Sequence, residues 1–196
     1  MAFDIVVVGA SMGGAAAIGK VLEGLPTDFG TPMAVVLHRS PDSSRGLVQM
    51  LQRCCALPIR EPNDKEPIRS GYVYLAAPDY HLMIDGDAFA LSTDAPVSYA
   101  RPSIDVLFET AAESYYSRVI GIVLTGANAD GARGATRIRE AGGMVLIQEP
   151  QTAESPEMPR AAMLAAPGAC VMQVAEMAAY VRGLTSPERK QRVESR

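Results

Sequence analysis

Short aliphatic runs that alternate with helical segments constrain the fold of this chain more than any other feature of its sequence. Residues 4–8 and 33–37 are two such runs, and each is followed by a segment with helical features. Nearly unbroken β-branched and aliphatic runs are typical of strands that are buried on both faces of a sheet. Repeated strand–helix units with short links therefore predict a parallel sheet with right-handed crossovers.

The middle of the chain has a different pattern, with short strands predicted at residues 72–76, 81–84 and 88–91. Asp85-Gly86 is a hairpin turn signal between the last two. Parallel architecture then resumes, with strands at 119–124, 144–147 and 169–172 and helices at 131–141, 159–165 and 175–184. The predicted fold class is α/β: one domain with a doubly wound, mainly parallel sheet and an antiparallel hairpin at one edge.

Length and composition indicate a single globular domain. The chain has 196 residues, of which 48% are hydrophobic and 20% are charged. A net charge of −4, no tryptophan and no basic stripe argue against a nucleic-acid partner. We expect residues 1–184 to form the domain and residues 185–196, which are charged and lack apolar periodicity, to be disordered.

The sequence predicts a cytoplasmic protein that does not insert into membranes. The apolar run at residues 5–8 is too short for a signal peptide, and no run approaches the length of a membrane span. Three cysteines, two of them adjacent, do not form a disulfide framework.

A glycine-rich turn follows the first predicted strand. Gly9-Ala10-Ser11-Met12-Gly13 matches G-x-S-x-G between a strand and a helix, which is the context of a nucleophile elbow. The start of the following helix offers free backbone N–H groups and a positive dipole end, which suit a developing oxyanion. Ser11 is therefore a candidate nucleophile. The same turn could also merely pack or cradle a phosphate, so the motif alone leaves these alternatives open.

Two more reactive side chains follow predicted strands. His38 comes directly after the second strand, and Asp130 lies in the loop after residues 119–124. The carboxyl ends of parallel strands share one edge, where ligands bind, so Ser11 and His38 should lie close together. Each residue also has an ordinary explanation, since a histidine can be structural and an aspartate can cap a helix. Together the three predict a Ser-His-Asp hydrolase, because triads are defined by geometry and not by chain order.

The chain resembles the catalytic domain of the CheB-type chemotaxis protein-glutamate methylesterases over about residues 4–184. Six segments carry the resemblance in the family's order: residues 9–14, 35–41, 72–82, 101–108, 124–134 and 149–162.

By this resemblance Ser11, His38 and Asp130 occupy the triad positions, and the backbone amides of Met12 and Ala127 are the oxyanion donors. The implied reaction hydrolyses glutamate γ-methyl esters on a chemoreceptor or receptor-like protein, without metal or cofactor. The family also deamidates certain glutamines.

Further residues match family segments near the cleft. Arg101, Ser103 and Asp105 are expected in the substrate groove, although Ser103 and Asp105 could equally be the cap and first-turn acid of a helix. Met158 and Pro159 are expected to shape a loop over the site. His81 is expected to have a structural role in the hairpin.

The sequence departs from the family pattern in the loop that follows the predicted strand at residues 119–124. The usual Thr-Gly-Met-Gly reads Thr125-Gly126-Ala127-Asn128, and Asn128 would be strained if that position needs φ > 0. Arg39 stands where methionine is usual. The chain starts at the first catalytic-domain strand, so receiver control in cis is not expected. It could be an enzyme with a separate receiver protein as regulator, a constitutive esterase, or part of a longer protein.

Other functions compete with a serine hydrolase. A Rossmann-like nucleotide-binding module would need an acid after the second strand, where His38 stands. A metal hydrolase would need ligands at a recognised spacing, which the sequence lacks. A non-catalytic homologue that binds a methylated or acidic protein segment remains an alternative because of the altered loop at Ala127 and Asn128.

Overall fold

The computed structural model describes residues 3–39 and 46–185, and all structural statements refer to these two ranges. They form nine strands and six α-helices. The strands are β1 Ile5–Ala10, β2 Met33–Leu37, β3 Ile59–Arg60, β4 Val73–Leu75, β5 His81–Asp85, β6 Ala88–Ser92, β7 Val119–Val123, β8 Met144–Gln148 and β9 Cys170–Met172. The helices are α1 Gly14–Glu23, α2 Leu47–Gln52, α3 Ile104–Tyr115, α4 Ala132–Glu140, α5 Glu157–Ala165 and α6 Val174–Thr185.

Seven strands form one parallel sheet in the order β3-β4-β2-β1-β7-β8-β9. The chain first builds outward from β1 through β2, and then returns to the other side of β1 at β7. The strand order therefore reverses between β1 and β7, which is where ligands bind in open α/β sheets. The loops that follow β1, β2 and β7 meet at this rim.

The sheet is buried on both faces because strand residues alternate between two cores. All six residues of β1 are buried. Val6 and Val8 belong to the core under α1, α2 and α6. Ile5 and Val7 belong to the core under α3, α4 and α5. The predicted doubly wound, parallel architecture is confirmed.

The predicted hairpin is confirmed, but its place differs from the expectation. β5 and β6 pair antiparallel across a turn with Gly86 at φ 57°, and they form a two-stranded sheet apart from the seven-stranded one. The hairpin packs on α3: Leu82 and Ile84 are buried in the same core as that helix, and Ile84 N donates to Thr110 Oγ1 at 3.1 Å. The edge strands of the main sheet are instead β3 and β9. The two residues of β3 are too few to show periodicity in the sequence.

Two predicted segments fall partly outside the described residues. The sequence after the second strand predicts a helix that opens at Pro41, Asp42 and Ser43 and whose inner face is Leu47, Met50, Leu51 and Cys54. The three opening residues lie outside the described ranges, and α2 is described from Leu47. Met50 was expected on the inner face of this helix but is 46% exposed, because so short a helix fully buries only Leu51. Residues 186–196 also lie outside the described ranges, so the disordered tail stays a prediction. None of the described helices is long and apolar enough to cross a bilayer.

Candidate active site

Ser11 lies directly after β1, in the turn that leads into α1. Its amide donates to Thr125 O at 2.9 Å, which fixes the turn against the loop after β7. Gly13 has φ +73°, and a Cβ there would lie 2.6 Å from Glu154 Oε2, so this position needs glycine. Ser11 is not among the residues with positive φ. The unusual backbone conformation of this turn therefore falls on Gly13 and leaves the serine unstrained.

His38 stands beside Ser11 at the end of the neighbouring strand. Ala10 and Leu37 are register partners, and His38 N donates to Ala10 O at 3.0 Å. Ser11 and His38 line the same cavity, whose volume is about 580 Å³. The Ser11 hydroxyl has no hydrogen-bond partner among residues 3–39 and 46–185. Catalytic hydrogen bonds often form only when substrate is bound, so this geometry is compatible with proton transfer.

The His38 ring is hydrogen-bonded to Asp130 through Nε2. Nε2 lies 2.7 Å from Asp130 Oδ2; the aspartate side chain is fully buried and the histidine side chain is 12% exposed. Since Nε2 faces a carboxylate, we assign the ring proton to Nε2 and a lone pair to Nδ1. Nδ1 is therefore the atom of His38 that can accept a proton.

Asp130 is held at the N-terminus of α3. Its Oδ2 also accepts from Ile104 N at 2.7 Å, and its Oδ1 accepts from Ser103 Oγ at 2.9 Å and Asp105 N at 3.0 Å. Burial raises the pKa of the Asp130 carboxyl, but hydrogen bonds from His38 and the amides of Asp105 and Ile104 outweigh it, so the pKa lies below its ordinary value. The carboxylate therefore stays ionised opposite His38.

Asp105 makes the reciprocal contact with α4. Its Oδ1 accepts from Gly131 N at 2.9 Å and from Gly134 N at 2.8 Å. Burial raises the pKa of the Asp105 carboxyl above its ordinary value, and the nearby Asp130 charge adds to this although the Gly134 amide opposes it. Asp130, which lies just before α4, therefore binds the first turn of α3, and Asp105, in the first turn of α3, binds the start of α4.

The expectation that Ser103 and Asp105 line the substrate groove is contradicted by their burial, which leaves them 0% and 3% exposed. Ser103 is the N-cap of α3, and its hydroxyl donates to Asp130. Asp105 is occupied by the amides of α4. His81 is also buried, and its Nδ1 accepts from Ser103 N at 3.2 Å, which agrees with the expected structural role.

Met158 and Pro159 were expected to shape a loop over the site, but they lie in a helix instead. Both are buried in the first turn of α5. Met158 N donates to Gly126 O at 2.9 Å, and a Cβ on Gly126 would lie 2.5 Å from Met158 Cε. They support the loop after β7 from beneath, because the start of α5 packs directly against that loop.

Two backbone amides near Ser11 are available to a ligand. The amides of Met12 and Ala127 have no hydrogen-bond partner within the part of the chain that the structure describes. A Cβ on Gly126 would lie 3.0 Å from Ser11 Cβ, so the loop that carries Ala127 passes directly beside the serine. Free amides beside the serine are one requirement of an oxyanion hole, and the role of these two amides stays a prediction.

Thr125 and Gln148 hold these loops together, and sequence reasoning missed both. Thr125 Oγ1 donates to Met12 O at 2.9 Å, and Thr125 N donates to Gln148 Oε1 at 2.9 Å. Gln148 is 4% exposed at the end of β8, and its Nε2 donates to Thr152 O at 3.2 Å. A glutamine that ends an otherwise apolar strand at the ligand-binding rim was the available signal.

Asn128 contacts the free nitrogen of His38. Asp130 N donates to Asn128 Oδ1 at 3.1 Å, so the other end of the amide, Nδ2, faces His38 Nδ1 at 3.4 Å. Asn128 is not among the residues with positive φ, so the anticipated backbone strain is absent. The sequence showed Asn128 only as a departure from the family loop.

Arg101 lies where it was expected, next to the cleft. It lines a cavity of about 380 Å³ together with His38 and Asn128. Its Nη1 donates to Thr93 O at 2.8 Å and Asp94 O at 3.0 Å. Of the five groove candidates, Arg101 alone lines a cavity that includes His38, and its role in substrate binding stays a prediction.

Comparisons with known proteins agree with this architecture. The family model described as CheB methylesterase matches residues 6–181. A relative from Leptospira interrogans is 46% identical over 164 residues, which are 83% of this chain and 85% of that protein. The protein-glutamate methylesterase/protein-glutamine glutaminase 2 of Anaeromyxobacter dehalogenans is 39% identical over 182 residues, and the chain spans 53% of its length.

A solved structure of a CheB methylesterase catalytic domain has the same fold. The crystal structure of the CheB methylesterase catalytic domain of Thermotoga maritima superimposes with a TM-score of 0.88 and 29% identity. The match covers 94% of this chain and all of that one. The extent of the family match and these relatives show that the chain belongs to the CheB methylesterase family.

Proposed function

We propose that this protein is a cytoplasmic protein-glutamate methylesterase, which hydrolyses the γ-methyl ester of glutamate side chains on a chemoreceptor-like protein. The observation that carries the proposal is the 2.7 Å contact between His38 and a buried Asp130, in a cleft that His38 shares with Ser11. The names of relatives in the family support the ester and the glutamate side chain as the substrate.

Acylation begins when the ester carbonyl oxygen binds the amides of Met12 and Ala127. His38 accepts the Ser11 proton at Nδ1 as Ser11 Oγ attacks the carbonyl carbon. The tetrahedral intermediate then expels the methoxy group, which takes the proton from His38 and leaves as methanol. One oxyanion donor is typically worth about 3 kcal/mol of barrier.

Deacylation repeats these steps with water as the nucleophile. His38 Nδ1 takes a proton from water, the hydroxide attacks the acyl carbon, and the proton returns to Ser11. Throughout, Asp130 keeps the proton of the resting ring on Nε2 and stabilises the imidazolium that forms. The product is a glutamate side chain with a free carboxylate.

We also propose glutaminase activity at the same site. A glutamine amide presents its carbonyl to the same two amides, and ammonia then leaves in place of methanol. The name of the Anaeromyxobacter dehalogenans relative includes this activity.

The test is methanol release from a receptor peptide that carries a glutamate γ-methyl ester. Ser11→Ala should lower kcat by about 10⁶, as loss of the nucleophile does in a concerted triad. Ser117→Ala is the matched control, since Ser117 lies just before β7, at the N-terminal ends of the parallel strands and opposite the rim that carries Ser11. The kcat of this variant should equal that of wild type. Equal turnover by wild type and Ser11→Ala would exclude the serine mechanism.

The competing functions are not favoured. A Rossmann-like module would need an acid after β2 to bind the ribose, and His38 occupies that place. A non-catalytic homologue has no need for an ionised carboxylate buried against a histidine beside two free amides. Tight nucleotide binding without ester hydrolysis would reverse this order.

A further inference from the structure

Arg101 carries a guanidinium group that no described carboxylate neutralises. Its Nη1 donates to the carbonyl oxygens of Thr93 and Asp94, and its Nε is buried without a hydrogen-bond partner among the described residues. A buried donor without an acceptor is costly in a folded protein. An acceptor supplied by a ligand would remove this cost.

Arg101 lines the cavity of about 380 Å³ beside His38. Asn128 and the turn at Ser98 and Tyr99 form other parts of the wall. A second arginine, Arg39, lines the same cavity, but its guanidinium is paired with Glu61 and donates to Ala76 O at 2.9 Å. The uncompensated positive charge of the described wall therefore comes from Arg101.

The chemistry of the guanidinium defines the ligand group. A guanidinium binds a carboxylate through two parallel N–H···O bonds. Because Nη1 is already bonded to two carbonyls, the edge formed by Nε and Nη2 remains for such a pair. A carboxylate that pairs with this edge would supply the acceptor that Nε lacks and would neutralise the charge.

We propose that this cavity is a subsite for an acidic side chain of the substrate protein, close in its sequence to the methylated glutamate, and that Arg101 determines this specificity. The inference rests on the proposed function, since one substrate segment brings both the ester to Ser11 and the acid to the cavity. In a helical segment, residues three or four positions apart lie on one face and are near enough to do this.

The experiment uses synthetic peptides that contain one glutamate γ-methyl ester, with glutamate or glutamine at each of the four positions on either side. Methanol release gives kcat/KM for each acid and amide pair. Wild type should prefer glutamate by about tenfold or more at one position at least, the size of effect typical of a charge-assisted hydrogen bond. In Arg101→Gln the ratio should fall to near one, and Arg101→Lys should keep part of it.

The control variants separate the subsite from general charge and from folding. Arg137→Gln removes the same charge near the end of α4, at a residue that does not line this cavity, and should keep the wild-type ratio. Hydrolysis of a small neutral ester reports the reacting groups alone, so the ratio of peptide to small-ester kcat/KM separates a lost subsite from a general loss of activity in each variant. Tyr99→Asp places a carboxylate on a fully exposed residue of the cavity wall, where folding is not at risk, and should also reduce the preference for acid.

The possible failures are distinguishable. If wild type hydrolyses acid and amide peptides with equal kcat/KM at every position, the subsite does not exist although the esterase does. If the preference for acid survives in Arg101→Gln with small-ester activity intact, another group binds the acid. If no ester is hydrolysed at all, the proposed function fails, and the subsite inference fails with it.

Discussion

Replacing Asp130 with asparagine keeps the shape of a buried side chain but removes its charge and turns one acceptor into a donor. In the structure each carboxylate oxygen accepts two hydrogen bonds. Oδ2 accepts from His38 Nε2 and Ile104 N, and Oδ1 accepts from Ser103 Oγ and Asp105 N. Whichever oxygen the NH₂ group replaces, the two donors that were bonded to that oxygen then face another donor.

The size of the effect follows from these contacts. His38 can change tautomer and the Ser103 hydroxyl can rotate, but either orientation of the asparagine leaves one backbone amide without its acceptor. An unsatisfied buried donor costs about 1–3 kcal/mol, so the free energy of unfolding should fall by that amount. The imidazolium also loses its counter-charge and correct tautomer, and kcat should fall by about 10⁴, as it does for this change in another Ser-His-Asp enzyme.

Asp105→Asn is the matched control, because Asp105 accepts from Gly131 N and Gly134 N and its carboxylate does not contact His38. Urea unfolding gives the stability of each variant, and methanol release per folded molecule gives kcat. Asp105→Asn can turn its amide oxygen toward both glycine amides, so it should lose less stability than Asp130→Asn and keep kcat within about tenfold of wild type. If Asp130→Asn loses stability but keeps kcat within tenfold, Asp130 only caps α3 and the proton-transfer role is wrong.

Three further predictions concern packing, acid stability and the altered loop. Gly9→Ala places a Cβ 2.2 Å from a side-chain carbon of α3 and should cost about 1–3 kcal/mol in urea unfolding, whereas Gly30→Ala, with nothing within 4 Å, should change little. The pKa of Asp130 is lower in the folded protein than in the unfolded chain, where it is about 3.9, so its charge stabilises the fold fully above that pH and loses this effect as the pH falls through the folded pKa. The difference in free energy of unfolding between wild type and Asp130→Asn should therefore become smaller below about pH 4. A difference that stays constant with pH would contradict this. Asn128→Gly removes the donor 3.4 Å from His38 Nδ1 and should raise kcat by up to about fivefold, the value of one weak hydrogen bond, while a tenfold drop would instead show that Asn128 supports the base.

The sequence by itself determined the parallel sheet and the position of the site. Residues 33–37 were predicted as a strand with the bounds that β2 has, because a buried strand is recognisable from its own residues. Ser11, His38 and Asp130 could be assigned to one rim because the carboxyl ends of parallel strands share an edge. These conclusions depend only on local pattern and on a general rule of topology.

Only the tertiary structure decided which neighbours are accessible and how the reactive groups are oriented. Ser103 and Asp105 match the same family segment as Arg101, yet the first two are buried and the third lines a cavity. The bonds from Asp130 to the start of α3 join residues 25–27 positions apart. Such contacts depend on how two helix starts meet above the sheet, and no periodicity within either segment encodes that meeting. For the same reason, the contact of His38 Nε2 with Asp130 was not available from the sequence.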